Sequence, residues 1–336
     1  MFALVVLAAA YLARGGADAK PLPDTPLRVL GKQRGIELGT AVRSEVLKRN
    51  RAYRELAAAQ FSMVTPENTM KWDFIEPSRG ELRFGPADEI VDRAREAGQK
   101  VRGHTLVWFF QLPDWTKELG PAQLRQATRE HIRRVVGHFA DDVGVWDVVN
   151  EPITDRGALR ASLFERRLGP GFIADALRTA RTADPDAKLY INEIGAEGIN
   201  PKSNRLYALV RDLKAQGVPI DGVGFETHTN LDGLPPDFVA NMRRFRALGL
   251  DVAITEADVA LKLPPSDADL RRQADIYAQI VRDCLAAHCS SLTFWGFTDG
   301  RSWIPETQAG MGAATLLDEH LRPKPAFLAV QRALAR

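Results

Sequence analysis

The chain has 336 residues, 45% hydrophobic and 26% charged, the balance of a globular protein with a sizeable core, which excludes collagen, coiled coil and intrinsic disorder. Lys and Arg number 45 against 43 Asp and Glu, so a net charge of +2 supplies no basic field for a nucleic-acid duplex or an anionic membrane. Two cysteines, Cys284 and Cys289, are too few for a disulfide scaffold or a multi-cysteine zinc site. The apolar run Phe2 to Leu12, closed by Arg14 and followed by Ala17-Asp18-Ala19, reads as a secretory leader over residues 1–19, with a lipid or membrane tether as the alternative. It falls short of the roughly 20 apolar residues that span a bilayer. The expectation is a secreted or periplasmic protein whose mature part, residues 20–336, is free of the membrane.

From Gly35 onward, β-rich runs ending in polar residues alternate with helical patterns. The first four predicted pairs are Gly35–Val42 with Ser44–Gln60, Ser62–Glu67 with Pro86–Ala97, Lys100–Trp108 with Pro121–Ala140, and Gly144–Glu151 with Phe172–Ala183. The next four are Lys188–Glu193 with Ser203–Gln216, Asp221–Thr227 with Pro236–Leu248, Asp251–Glu256 with Asp267–Ala287, and Ser291–Phe297 with Pro325–Ala335. In the third helix Leu124, Ile132, Val135, Val136 and Phe139 recur at three- and four-residue spacing, which gives it one apolar face. Near-continuous apolar strands require a parallel sheet buried on both faces, and eight such units close into a (β/α)8 barrel. An open doubly wound sheet is the competing plan, but no Gly-x-Gly-x-x-Gly follows an early strand. With no Pro/Ser/Gly-rich linker, a single catalytic domain is expected.

Barrel active sites form at strand C-terminal ends. Here those ends carry Glu67-Asn68, His104 with Trp108, Asn150-Glu151, Asn192-Glu193, Glu226 with His228, Glu256 with Asp258, and Trp295 with Asp299. One glutamate after an apolar strand is usually the first solvated residue of a loop. Two of them, on strands four and seven, with Asn150 before one and a histidine on a neighbouring strand, fit metal-free glycoside hydrolysis. In that chemistry one carboxyl protonates the leaving oxygen and the other attacks the anomeric carbon or activates water.

Five stretches, Val64-Thr-Pro-Glu-Asn-Thr-Met-Lys-Trp-Asp73, Gly103-His-Thr-Leu-Val-Trp108, Trp146-Asp-Val-Val-Asn-Glu-Pro152, Ile254-Thr-Glu256 and Phe294-Trp-Gly-Phe-Thr-Asp299, resemble glycoside hydrolase family 10 in order and spacing over about residues 30–336. The resemblance implies a retaining endo-β-1,4-xylanase on a (β/α)8 barrel, or activity on another β-1,4-glycan or aryl glycoside. Xylan is the expected partner, no cofactor is expected, and a monomer is expected although no sequence feature sets the oligomeric state. The resemblance implies Glu151 as general acid/base and Glu256 as nucleophile. Asn150 then matches the ligand of the sugar 2-hydroxyl, and His228 the imidazole that orients the nucleophile, with Asp258 placed to fix its tautomer. Glu67, Asn68, Lys71, His104 and Trp295 match glycone-side binding residues, and Trp108 and Trp303 match the aromatic walls; Gln111 and Glu226 complete the substrate-binding set. Trp72 and Trp146 read as core, and Trp115 could be either.

Departures fall beside these motifs. Phe109 and Phe110 stand where the family usually has His and a small polar residue, and Glu193-Ile194-Gly195 where it commonly has Asp-Tyr-Asn, which removes an aromatic platform on the leaving-group side. Glu226 stands where Gln is usual, and a second carboxylate there should raise the pKa of Glu151, unless an arginine such as Arg301 neutralises it. A non-hydrolytic carbohydrate-binding barrel is disfavoured because binding alone needs neither Glu151 nor Glu256. A metal hydrolase built on His104, His228 and the acids lacks any His-x-His or His-Glu-x-x-His pairing. Cys284 and Cys289, between the seventh helix and the eighth strand of an apparently exported chain, are expected to form a disulfide.

Overall fold

In the computed structural model, which describes residues 25–336, a helix at Leu27–Gln33 leads into eight strands that form one closed sheet. These are β1 (Glu37–Val42), β2 (Met63–Pro66), β3 (Lys100–Val107), β4 (Val143–Asn150), β5 (Lys188–Glu193), β6 (Gly222–Phe225), β7 (Asp251–Val259) and β8 (Ser291–Phe294). Each neighbouring pair is parallel, and β8 bonds to both β1 and β7, so the sheet has no free edge. The main helices after the strands are α1 (Arg51–Gln60), α2 (Gly85–Glu96), α3 (Pro121–His138), α4 (Phe172–Ala183), α5 (Pro201–Ala215), α6 (Phe238–Ala247), α7 (Asp267–Ala287) and α8 (Pro325–Ala335). This is the expected (β/α)8 barrel. The expected leader, residues 1–19, lies outside the described residues. No helix among the described residues is long and apolar enough to cross a membrane.

The strands are buried on both faces, as their apolar runs require: every residue of β2, β6 and β8 is buried. The helices cover the outer face with one stripe each. Leu124, Ile132, Val135 and Val136 of α3 are buried on that stripe, and Phe139 is buried just past the helix end. Starts follow the capping chemistry: Ser266 accepts from the Asp269 amide ahead of α7, and Asn200 accepts from Ser203 ahead of α5, where Pro201 holds the first position. Inside the barrel, β3 and β4 align Gly103 with Trp146, and a Cβ on Gly103 would lie 2.2 Å from that indole. Deeper, Arg102 pairs with Asp147, each side chain about 1% exposed, and its guanidinium lies 4.6 Å from the Tyr190 ring centroid.

Three expectations are corrected. The helix expected over Ser44–Gln60 is two, Ser44–Arg49 and α1, because Asn50 takes an extended conformation (ψ 101°) and its side chain caps α1 at Tyr53 N, 3.0 Å away. The sixth strand ends at Phe225. Thr227 then turns through a left-handed conformation (φ 65°), and His228–Thr229 returns to pair with an extension of β7 beyond Glu256. Cys284 and Cys289 are free thiols, not a disulfide. Cys284 sits on the buried stripe of α7, and Cys289 packs its sulfur 3.6 Å from Met242 Sδ after the chain reverses at His288 (φ 55°), so both serve as small apolar fillers. Burial holds the Cys284 thiol well above the usual range, which keeps it protonated and inert.

Candidate active site

Strand register assembles the site before any side chain is considered. Asn150 at the end of β4 aligns with Asn192 on β5, which aligns with Gly224 on β6. A Cβ at Gly224 would lie 2.1 Å from Asn192 Oδ1, so only glycine lets the Asn192 amide turn into the barrel mouth. Its oxygen accepts from Thr255 Oγ1 at 2.7 Å, which fixes the amide's orientation. Its nitrogen then faces Glu256 Oε1 at 2.8 Å, Asn150 Oδ1 at 2.9 Å and Glu226 Oε1 at 3.2 Å. Two N–H groups serve three acceptors.

Glu151 and Glu256 meet opposite electrostatics. Glu151 follows β4 with a left-handed backbone (φ 50°), the kind of local strain that cores tolerate where a side chain must be aimed. Burial, and then the charge of Glu256, raise its pKa; Arg160, with Nη2 3.8 Å from Glu151 Oε2, works against the rise together with Lys202 and His104. Glu256 is pushed up by burial, but His104 and His228 outweigh that and hold it below the ordinary carboxylate range. His104 Nδ1 lies 3.8 Å from Glu256 Oε1 and 3.1 Å from Asp147 Oδ2. His228 Nε2 lies 3.3 Å from Glu256 Oε2. One carboxyl thus keeps a proton where the other gives it up.

His228 is beside Asp258 because the short strand His228–Thr229 runs parallel to β7 in that register. Asp258 Oδ2 lies 2.9 Å from His228 Nδ1 and accepts from Trp303 Nε1 at 2.8 Å. Burial alone would lower the His228 pKa; Asp258 and Glu256 override it and raise it to about 10. Trp295 meets His104 and His228 edge-on at 5.2 and 6.3 Å, and Trp303 stands 4.9 Å from His228.

The remaining expected binding residues form a second group. Lys71 Nζ donates to Asn68 Oδ1 at 3.1 Å and Gln111 Oε1 at 2.8 Å and lies 4.8 Å from the Trp108 ring. Burial lowers the Lys71 pKa, against Glu256, Glu67, Asp73 and Glu226. Arg43 donates to Glu67 at 2.8 Å. Trp72 and Trp146 are core, as expected, and Trp115 packs edge-on against Trp72 with its Nε1 donating to Glu76 O, so it is packing too. Asp299, at the eighth strand end, belongs to a structural ion pair with Lys324 at 2.9 Å.

Glu226 is 2% exposed and is itself the perturbed group: burial, then the charges of Glu256, Glu151, Glu193 and Glu197, raise its pKa well above the usual value. Among the described residues Arg301 makes no ion pair, and it is exposed. Three contributors escaped the sequence reading. Asn192 stands at a strand end with no motif that assigns it a task, although a glycine in mid-strand at 224 marks a close approach. Arg160, which reaches the Glu151 carbonyl at 2.9 Å, has no sequence pattern pointing to it. Glu193 lies under the rim, where it accepts from Ile153 N at 3.0 Å and meets Lys202 at 3.2 Å, so it braces the segment after Glu151.

The profile of Glycosyl hydrolase family 10 matches residues 27–333. The chain belongs to that family. It is 41% identical to endo-1,4-beta-xylanase B of Thermotoga neapolitana over 92% of this chain and 91% of that protein, and 42% identical to an endo-1,4-beta-xylanase of Agaricus bisporus over 80% and 82%. The crystal structure of xylanase 10B from Thermotoga petrophila RKU-1 in complex with xylobiose superposes with a TM-score of 0.90 at 41% identity, covering 94% of this chain and 98% of that one.

Proposed function

We propose that this chain is a retaining endo-1,4-β-xylanase in which Glu256 is the nucleophile and Glu151 the general acid/base. The observation that carries the reading is the placement of the two carboxyls at one barrel mouth. Glu256 is held by His228 Nε2 at 3.3 Å, Asn192 Nδ2 at 2.8 Å and His104 Nδ1 at 3.8 Å, which favour its anion. Glu151, with the Arg160 guanidinium 3.8 Å away, is biased toward its acid by burial and by Glu256. Glu151 gives its proton to the leaving oxygen while Glu256 attacks the anomeric carbon. Glu151, now a carboxylate and still near the Arg160 guanidinium, takes a proton from water, which attacks the glycosyl ester and releases Glu256. Asn150, held by Asn192, offers its amide to the 2-hydroxyl, a contact that strengthens as positive charge develops on the ring. His228, fixed by Asp258, orients Glu256. Trp108, Trp295 and Trp303 supply flat apolar faces for pyranose rings, and Glu67, Asn68, Lys71, His104 and Gln111 supply hydroxyl partners. Xylanase names on relatives at about 40% identity and a xylobiose complex among the similar structures support xylan as the substrate.

Proton NMR of the first product released from xylotetraose tests this reading. The β-anomer is expected, with no turnover in Glu256→Ala; α-anomer formed first would overturn it. Export rests on the leader pattern alone, and N-terminal sequencing of protein from the culture medium or periplasm checks for cleavage near Ala19. A monomer is expected by light scattering.

A further inference from the structure

Glu226, His228 and Glu256 gather at the barrel mouth, and Asn192 holds two of the three. Asn192 occupies Oε1 of both Glu226 and Glu256, at 3.2 and 2.8 Å. The opposite oxygens, Oε2 of each, face one atom, His228 Nε2, at 3.8 and 3.3 Å. One ligand atom from each of the three residues falls within 4.8 Å of the others. Zinc bonds of about 2.0–2.2 Å set the ligand atoms of a tetrahedral site roughly 3.3–3.6 Å apart, so the set closes on an ion with shifts of tenths of an ångström to about one ångström. The surroundings also match. Ligating histidines commonly hand their other ring nitrogen to a carboxylate, and His228 Nδ1 already lies 2.9 Å from Asp258 Oδ2. Asn192 plays the same part for the two glutamates. Glu226 and Glu256 are 2% and 4% exposed, and ligands bind a metal in their deprotonated forms. Zn²⁺ entering this buried set therefore displaces the proton on His228 Nε2 and the one Glu226 is biased to hold, and it binds more tightly as the pH rises.

The geometry points to a binding site for a borderline-soft divalent cation of the Zn²⁺ type, formed by Glu226, His228 and Glu256, with a fourth position open to the cleft. Imidazole with carboxylates suits this class, whereas Mg²⁺ prefers an octahedral shell of oxygens. The second anionic ligand beside Glu256 is Glu226, at the position where the family resemblance leads one to expect glutamine. On the proposed reading of Glu256 as nucleophile, an ion bound there takes the carboxylate that attacks the sugar, so Zn²⁺ inhibits, and it does so in competition with substrate. This is an inhibitory site and not a catalytic metal centre.

Calorimetric titration of the full chain with ZnCl2 reads binding directly, and xylotetraose hydrolysis with increasing ZnCl2 reads its effect, each variant being referred to its own metal-free rate. One Zn²⁺ per chain is expected, with inhibition relieved by excess substrate and no response to MgCl2 at the same concentration. Glu226→Gln should raise the Zn²⁺ Kd at least tenfold, since losing even an outer partner of a ligand costs about 10- to 100-fold. If that variant does not fold, His228→Gln gives the same comparison. Bound Co²⁺ gives a separate readout, a visible absorption of tetrahedral intensity that the variant should lack. No binding at millimolar Zn²⁺, or an unchanged Kd in the variants, would overturn the site. Binding that is lost in the variants but leaves turnover untouched would uphold the site and count against Glu256 as nucleophile.

Discussion

Replacing Arg160 by glutamine removes a cation 3.8 Å from Glu151 Oε2 while leaving a hydrogen-bonding side chain on the loop. At that distance two unit charges interact by about 1 kcal/mol at the dielectric constant of water and by about 4 kcal/mol at an effective value of 20. The guanidinium is 26% exposed and the carboxyl 13%, so solvent screening pulls the interaction toward the lower figure. A difference of about 1.4 kcal/mol is one pKa unit. The sign is fixed: a nearby cation favours the carboxylate and lowers the Glu151 pKa, so its loss raises that pKa. Because Glu151 must be protonated to donate, the basic limb of kcat/KM should move up by about one pH unit. The acid limb, where Glu256 becomes protonated, should stay in place. The assay is kcat/KM against pH on xylotetraose, whose sugar leaving group needs protonation. Arg160 also donates to the carbonyls of Glu151 and Ile153, at 2.9 and 3.2 Å, so Arg160→Lys is the control that keeps charge and disturbs those bonds. Superimposable basic limbs for Arg160→Gln, or an equal shift for Arg160→Lys, would refute the electrostatic reasoning.

Glu226→Gln replaces a carboxyl that burial and its neighbours already hold toward the neutral acid, so the basic limb set by Glu151 should stay within a few tenths of a pH unit, unlike in Arg160→Gln; the same pH series shows it. Asn192→Ala frees Asn150, Glu226 and Glu256 together, and a drop in kcat of about 10- to 100-fold with a native circular dichroism spectrum is expected, since small misplacements of reacting groups cost that much. Asp147→Asn strands the buried Arg102 charge and should cost about 3–5 kcal/mol in urea unfolding; a loss below about 1 kcal/mol would mean that Arg102 finds another partner. Phe110, 60% exposed and edge-on to Trp108 at 5.4 Å, extends an aromatic wall, so Phe110→Ala should raise KM for xylohexaose more than for xylotriose, with kcat little changed.

The barrel was readable because its strands are buried on both faces, so most of them appear as near-continuous apolar runs closed by a polar residue, and the helices between them keep a single stripe. The residues that touch substrate in the proposed mechanism were readable for a related reason: strand ends in this fold point to one place, whatever their distance in sequence. What escaped depends on register and on loops. That Asn192 holds Glu256 follows from the alignment of β4, β5 and β6 and from the missing side chain at Gly224, and no local pattern states an alignment between strands. Arg160 reaches Glu151 across a loop whose course composition does not set. The break at Asn50 was hidden because one capping asparagine interrupts a stretch whose residues otherwise favour helix. The cysteine expectation failed because spacing and compartment do not reveal that both sulfurs face the core.

A single amide that serves three partners also constrains how this chain can change over generations. Substitutions at Asn150, Glu226 and Glu256 do not act independently, since altering one redistributes the two Asn192 protons between the remaining acceptors. A glutamine at 226 would offer that amide a weaker acceptor than a carboxylate, and its hold on the nucleophile would tighten in return. The effect of any exchange there therefore depends on which neighbours are already in place, so ancestry and order of substitution become part of the chemistry. Gly224 sets the outer limit of that drift: as long as Asn192 is present a side chain at 224 would collide with it, so the glycine can be replaced only after the hub has gone.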